Sequence, residues 1–358
     1  MKDNPTSPIL HGPARLTAVG VDAYNAELRA GKGFIGDRAS NRAFREILEK
    51  GRERLREVGD DPLGSKPTED LSKKKLDKTL IEGDPEAAGV VQGAIEEFAA
   101  ELAKVTARFL RLKAWREITR IVVGGGLRAS RVGELAIGRA SVLIKDAGHD
   151  VQLKPIHHHP DEAGLIGAVQ LAPPWMFAGH DAILALDIGG SNIRAGIVEL
   201  QLEKAADFSR TTVHTFELWR HADEEAKPSR EDAVQRIGEM LGRLVKKAAK
   251  DDLKLAPFVG VACPGVIAQD GSIERGGQNL PGHWESNRFI LPARLLDQLP
   301  TVGDHQTTVV MHNDAVVQGL SEVPFIQDVT HWGVLTIGTG LGNAAFTNEN
   351  AARRNETS

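Results

Sequence analysis

The stretch "LALDIGGSNIRAGIVEL", residues 184–200, constrains the fold more than any other part of the chain. Two apolar runs flank an acid, two glycines, a hydroxyl residue and Asn192. Such runs read as two buried strands joined by a tight turn, with Asp187 at the end of the first. Glycines in that turn let backbone N–H groups approach an anion without obstruction from a Cβ. Gly189, Gly190, Ser191 and Asn192 are therefore candidates to cradle phosphate oxygens, and Asp187 is a candidate to hold Mg²⁺, through water. A Walker-type loop would need a Lys after the glycines and then a helix, and a dinucleotide fingerprint also needs a helix. A strand follows here, so both fail. An ordinary hairpin turn is the competing reading of this single Gly-Gly.

A second turn of the same design occurs in "TIGTGLGNAAF" (Thr336–Phe346), where Gly338, Thr339 and Gly340 join two strand-like runs. A third, "IVVGGGL" (Ile121–Leu127), runs from a strand through Gly124, Gly125 and Gly126 into a helix, and its open surface suits a flat nucleoside. Each is weak alone; together they suggest a nucleotide held between two lobes. In "VVMHNDAVVQ", Asp314 ends a strand and precedes a helix. Asn313 or Asp314 there can cap the helix, and Asp314 can also serve as general base toward an attacking hydroxyl.

The chain's 358 residues suffice for two domains. A balance of 41% hydrophobic and 26% charged residues is that of a globular protein, and a net charge of -5 argues against a nucleic-acid surface. A single Cys excludes an internal disulfide and a multi-cysteine zinc site, so no zinc is expected. "MKDNPTSPIL" lacks a signal core and no run reaches membrane length, so no membrane partner and a cytoplasmic location are expected. Helical periodicity marks residues 42–58, the long run from "GDPEAAGVV", and "SREDAVQRIGEMLGRLVKKAAK" with Ser229 as N-cap. "GDDPLGSKPTEDLSKKK" reads as a polar loop and its Lys run as a solvated face. "HHHP" at 157–160 reads as a loop rather than a metal site, since neighbouring side chains diverge. The expected domains are 1–171, a linker at 172–181, a second domain at 182–330, a return to the first sheet at 331–348, and a tail at 349–358.

Taken together the motifs resemble the ROK sugar kinases, of the actin and hexokinase-like ATPase superfamily. "LALDIGGSNIRAGIV" is similar to that family's first phosphate motif, "GTGLGNAAF" to its second, and "IVVGGGL" to its adenosine motif. "HNDA" resembles its catalytic Asn-Asp motif, and "GVACPGVIAQDGSIERGGQNLPGHW" its sugar-side segment. "AGLIGAVQLA" is similar to the helix that ends the family's chain and returns to its first lobe. The resemblance implies an α/β, two-lobed actin/hexokinase-like ATPase fold with ribonuclease H-like sheets. It implies ATP and Mg²⁺, a small-molecule sugar as substrate, a homodimer, Asp314 as base, and Asn279, Asn313 and Gly265 on the sugar side. Polyphosphate is an alternative donor, and a sugar-responsive regulator or non-catalytic scaffold an alternative function. The motif order departs from the family's: the adenosine motif and final helix come first, so the chain looks circularly permuted. The family's Glu-x-Gly-His is not recognisable, and Asp22, Asn25, Glu27 and Asp37 are candidate replacements.

Overall fold

The computed structural model describes residues 10–31 and 33–349. The chain start and the tail discussed above lie largely outside that range. Among the described residues ten strands form two five-stranded sheets: β1 Val19–Tyr24, β2 Arg120–Gly124, β3 Gln152–Pro155, β4 Ala182–Ile188, β5 Ile193–Glu199, β6 Thr212–Trp219, β7 Leu255–Cys263, β8 Thr308–Asn313, β9 His331–Ile337 and β10 Leu341–Asn348. The helices used below are α1 Asn41–Arg56, α2 Lys73–Glu82, α3 Pro85–Phe109, α4 Arg131–Asp146, α5 Pro160–Gly167, α6 Arg230–Lys250, α7 Leu291–Gln298 and α8 Asp314–Leu320.

Two compact units result. The first holds the described residues of Met1–Val21 and Glu162–Ile326, the second those of Asp22–Asp161 and Gln327–Ser358. The first unit's sheet has the order β8-β7-β4-β5-β6. β4, β5 and β6 form an antiparallel meander, and β7 and β8 run parallel to β4. Every residue of β4 is buried, as its uninterrupted apolar run demands of a central strand. α6 and α7 cover one face of this sheet through Ile237, Leu241, Leu291 and Leu295. Ser229 opens α6 with a reciprocal capping box to Asp232.

The second unit's sheet has the order β1-β10-β9-β2-β3. β9 and β10 form the antiparallel hairpin, and β2 and β3 continue parallel to β9. α3 and α4 pack beneath it, with Phe98, Leu102, Val132 and Ile137 in one core. Asp84 caps α3 with Pro85 at its first position, and Ser130 caps α4. Both sheets therefore repeat one ribonuclease H-like order, third-second-first-fourth-fifth strand, the duplicated plan of the actin/hexokinase-like ATPase fold. In the second sheet the third-strand place is taken by β1, from the start of the chain.

Three expectations are corrected. Residues 162–171 were expected with the first domain; they lie in the unit built on β4, against which α5 packs. Residues 172–181, expected as a linker, sit inside that same unit, where Phe177 is buried edge-on against Phe208 and Phe258. The Lys run of residues 73–75 starts a helix, α2, because Ser72 caps it and Leu76 and Thr79 are buried. No described helix is long and apolar enough to cross a membrane.

Candidate active site

Asp187 is 5% exposed near the carboxyl end of β4. Arg194, its cross-strand partner on β5, brings Nη1 to 3.5 Å from Asp187 Oδ2. The backbone of α5 lies on the carboxylate, since a Cβ at Gly164 would stand 2.7 Å from Asp187 Cγ. The turn beyond is closed by Gly189 N–H donating to the Asn192 carbonyl at 2.8 Å. His221 Nε2 lies 2.9 Å from the Gly189 carbonyl, and Ala222 N–H donates to the Ser191 carbonyl at 3.3 Å. Asn279 sits beside the turn; a Cβ at Gly190 would be 2.9 Å from Asn279 Cβ. Trp284, fully buried, donates its Nε1–H to the Pro281 carbonyl and so braces the Asn279 loop from inside the core.

Asp314 stands one strand away. Asp187 is paired with Ala262 of β7, and Asn313 of β8 with Cys263 of β7. Asp187 and Asp314 thus rise from the same end of the sheet on either side of β7, their backbones roughly 10 Å apart at two interstrand spacings. Burial, and then the neighbouring Asp187 carboxylate, push Asp314 up to about 6; hydrogen bonds from the backbone and from Asn313 pull the other way without prevailing. Cys263, buried between them, is held well above its ordinary value by burial and by both acids.

Asn313 is committed to the fold. Its Oδ1 accepts from Ala315 N–H at 3.0 Å and Val316 N–H at 3.3 Å, and its Nδ2 donates to the Gly265 carbonyl at 2.9 Å. At 2% exposure it caps α8 and ties the Gly265 turn to it.

In the second unit, Gly338 N–H donates to the Gly340 carbonyl at 2.9 Å, and the Gly338 carbonyl accepts from Asn41 N–H at 3.0 Å. Thr339 tips this turn. β9 runs parallel to β2 with Thr336 opposite Gly124, which sets the glycine platform beside the hairpin. Gly125 has φ +84° and a Cβ there would be 2.3 Å from the Ile337 carbonyl oxygen, so no other residue fits. A cavity of about 230 Å³ adjoins the platform, lined by Asn41, Phe44, Thr68, Lys73, Leu127 and Ser130 among others. Lys73 Nζ donates to the Gly126 carbonyl.

The first unit therefore gathers Asp187, Gly189–Asn192, Gly265, Asn279, Asn313 and Asp314; the second gathers Gly124–Gly126 with Gly338–Gly340. Sequence reading missed Gly164, Arg194, His221 and Lys73. Lys73 carried a signal, the Lys run, but that run reads more readily as a solvated face. Of the candidates for the absent Glu-x-Gly-His, Asp22 accepts from Thr347 Oγ1 at 2.8 Å, and Asn25 N–H donates to the Asn343 carbonyl at 2.9 Å. Both tie the chain start to β10. Glu27 is exposed and Asp37 half-buried, all four in the second unit.

No protein-family model matches the chain, and no curated protein does. Among solved structures, a ROK hexokinase from Thermus thermophilus is 21% identical, covering 46% of this chain and 46% of its own, with a TM-score of 0.34. A protein of Cytophaga hutchinsonii provisionally named a sugar kinase is 19% identical over 47% of this chain and 48% of its own, TM-score 0.35. One of Listeria monocytogenes, provisionally named an N-acetylmannosamine kinase, is 24% identical over 47% of each, TM-score 0.32. The chain spans about half the length of each.

Proposed function

We propose that the protein is an ATP-dependent sugar kinase and that its chain is a circularly permuted form of the ROK kinase plan. The observation that carries the activity is Asp314: a carboxylate raised to about 6, at the amino end of α8, facing a second carboxylate across one strand. A base poised just below neutrality is what proton removal from an alcohol needs. Asp314 takes the proton of the sugar hydroxyl as that oxygen bonds to the γ-phosphorus. The bond from phosphorus to the β,γ-bridging oxygen breaks, and ADP leaves. In the first unit the turn through Gly190, Ser191 and Asn192 offers N–H groups to phosphate oxygens, and in the second unit the turn at Thr339 and Gly340 does the same. Gly124–Gly126 and the adjoining cavity take the nucleoside, and Asn279 and the Gly265 turn lie on the sugar side.

Mg²⁺ is commonly held by one or two carboxylates together with substrate phosphates, and Asp187 beside a phosphate-sized glycine turn fits that donor set. Bound there, the ion would neutralise charge on the phosphates. Arg194 and the backbone at Gly164 fix the Asp187 carboxylate.

The second sheet supports the permutation, because its third-strand place is filled by β1 from the opposite end of the chain. The test of function is ADP release from ATP and Mg²⁺ across hexoses, amino sugars and N-acetyl sugars. Asp314→Asn is expected to fold and to lose about 10²–10⁴-fold in kcat on the sugar that is turned over. Near-normal turnover in that variant would remove Asp314 from the chemistry.

A further inference from the structure

We propose that His312 is a positioning residue for Asp314 and that the segment His11-Gly12-Pro13, from the start of the chain, is the clasp that holds it; this rests on the sugar-kinase function proposed above. β8 is an edge strand of its sheet, paired on one side with β7. Edge strands ordinarily leave outward polar groups to water or shield them with charge. Here the clasp occupies that edge. Gly12 N–H donates to the Met311 carbonyl at 2.9 Å, Met311 N–H donates to His11 Nδ1 at 3.2 Å, and His11 N–H donates to the Gln269 carbonyl at 3.1 Å.

The next outward N–H belongs to Asn313, and it donates to His312 Nδ1 at 2.7 Å. The other ring nitrogen, Nε2, lies 3.1 Å from the Pro13 carbonyl. A carbonyl can only accept, so Nε2 carries the hydrogen, Nδ1 is the acceptor, and the ring is neutral. Complete burial favours the same state. The imidazole therefore bridges Pro13 to the peptide that enters Asn313. Asn313 caps α8, whose first residue is Asp314. A rotation of that peptide would carry the base with it, and a misplacement of 1 Å costs about 10² in rate.

The fold makes room for the clasp at two points. Gly12 has φ +54° and a Cβ there would stand 2.6 Å from the Ile267 carbonyl oxygen. A Cβ at Gly271 would stand 2.9 Å from His11 Cδ2. Nothing in the chemistry proposed above uses His11, Gly12 or Pro13.

The full chain is assayed with His312→Ala, with His312→Asn, whose Oδ1 can accept in place of Nδ1, and with Gly12→Ala. His312→Ala is expected to lower kcat by about 30-fold or more while KM for ATP stays within about 2-fold, and His312→Asn to recover most of the loss. Gly12→Ala should reproduce part of the defect without touching any site residue; it carries the test if His312→Ala does not fold. Amide hydrogen exchange across residues 314–317 gives a readout that needs no turnover, and it should speed up in His312→Ala and not in His312→Asn. Wild-type kcat in His312→Ala, or a loss that His312→Asn leaves unrescued, overturns the clasp while the kinase function stands. A wild-type protein inactive on every sugar, with exchange behaving as expected, overturns the kinase function while the clasp stands.

Discussion

A half-buried carboxylate held near a second carboxylate costs stability, and Asp314 is such a group. Its native value is about 6 against an ordinary 3.8. Between those values the folded state holds the proton that the unfolded state has already released, so stability falls as pH rises from about 4 to 6 and stays lowered above. Asp314→Asn removes that penalty, about 3 kcal/mol at roughly 1.36 kcal/mol per pH unit and already net of the hydrogen bonds at the helix start. The variant is expected to melt higher than wild type at pH 7, with the difference gone near pH 4, as read by thermal unfolding. The sugar's kcat/KM should rise to a plateau above about pH 6, as Asp314 loses its proton. Gly164 is another residue whose identity is dictated by close approach. Gly164→Ala drives a methyl into Asp187 Cγ and should cost about 1–3 kcal/mol, with a clear fall in kcat and retained ATP binding by calorimetry.

At the scale of elements, the segment between α1 and α2 decides the cavity. Arg52 of α1 is fully buried and donates to Asp61 Oδ2 at 2.8 Å, Thr68 Oγ1 at 2.6 Å, and the Gly64 and Lys66 carbonyls at 2.8 and 2.6 Å. Those bonds shape the loop that delivers Thr68 and Lys73 to the cavity wall. Arg52→Ala leaves Asp61 its bonds from Arg56 and from Leu63 N–H but unpairs the Gly64 and Lys66 carbonyls and empties a buried site, so a loss of about 2–4 kcal/mol is expected in denaturant unfolding. Lys73→Met should leave stability within about 1 kcal/mol and raise KM for ATP severalfold, with kcat little changed. α1 was legible from its 3.6-residue spacing, and the strands at 184–200 and 336–346 from their turns. α2 was not legible, because its apolar side is too short to outweigh the Lys run that opens it.

For the whole molecule, the two sheets share one strand order although the chain enters them at different points. In the first sheet, β5 ends at Glu199 and β6 begins at Thr212, a direct connection. In the second, β10 and its sheet neighbour β1 lie at opposite ends of the sequence. Joining β10 to β1 with a flexible linker and opening the chain between Ala178 and Gly179 should give the motif order from which we propose the chain is permuted. The opening point carries little penalty, since a Cβ at Gly179 would meet nothing within 4 Å. The rearranged chain is expected to fold, by circular dichroism and thermal melting, and to keep turnover within about 10-fold of the natural order. Failure to fold would mean that β1 must be placed by the chain start rather than by its neighbours in the sheet.

The sequence by itself determined what neighbours in the chain control: which runs alternate as strands, where Ser229 starts a helix, and which glycine turns could bend toward an anion. It also singled out Asp187 and Asp314, since an acid at a strand end beside a glycine turn or a helix start is a local pattern. The tertiary structure alone decided which of those groups face one another. Asn313 is drawn into capping and tethering, Lys73 into a cavity wall, and His11 onto a strand 300 residues away. The physical reason is range. Backbone dihedrals and hydrophobic period are written over a few residues, whereas a hydrogen bond between distant segments exists only once packing has removed the water from both.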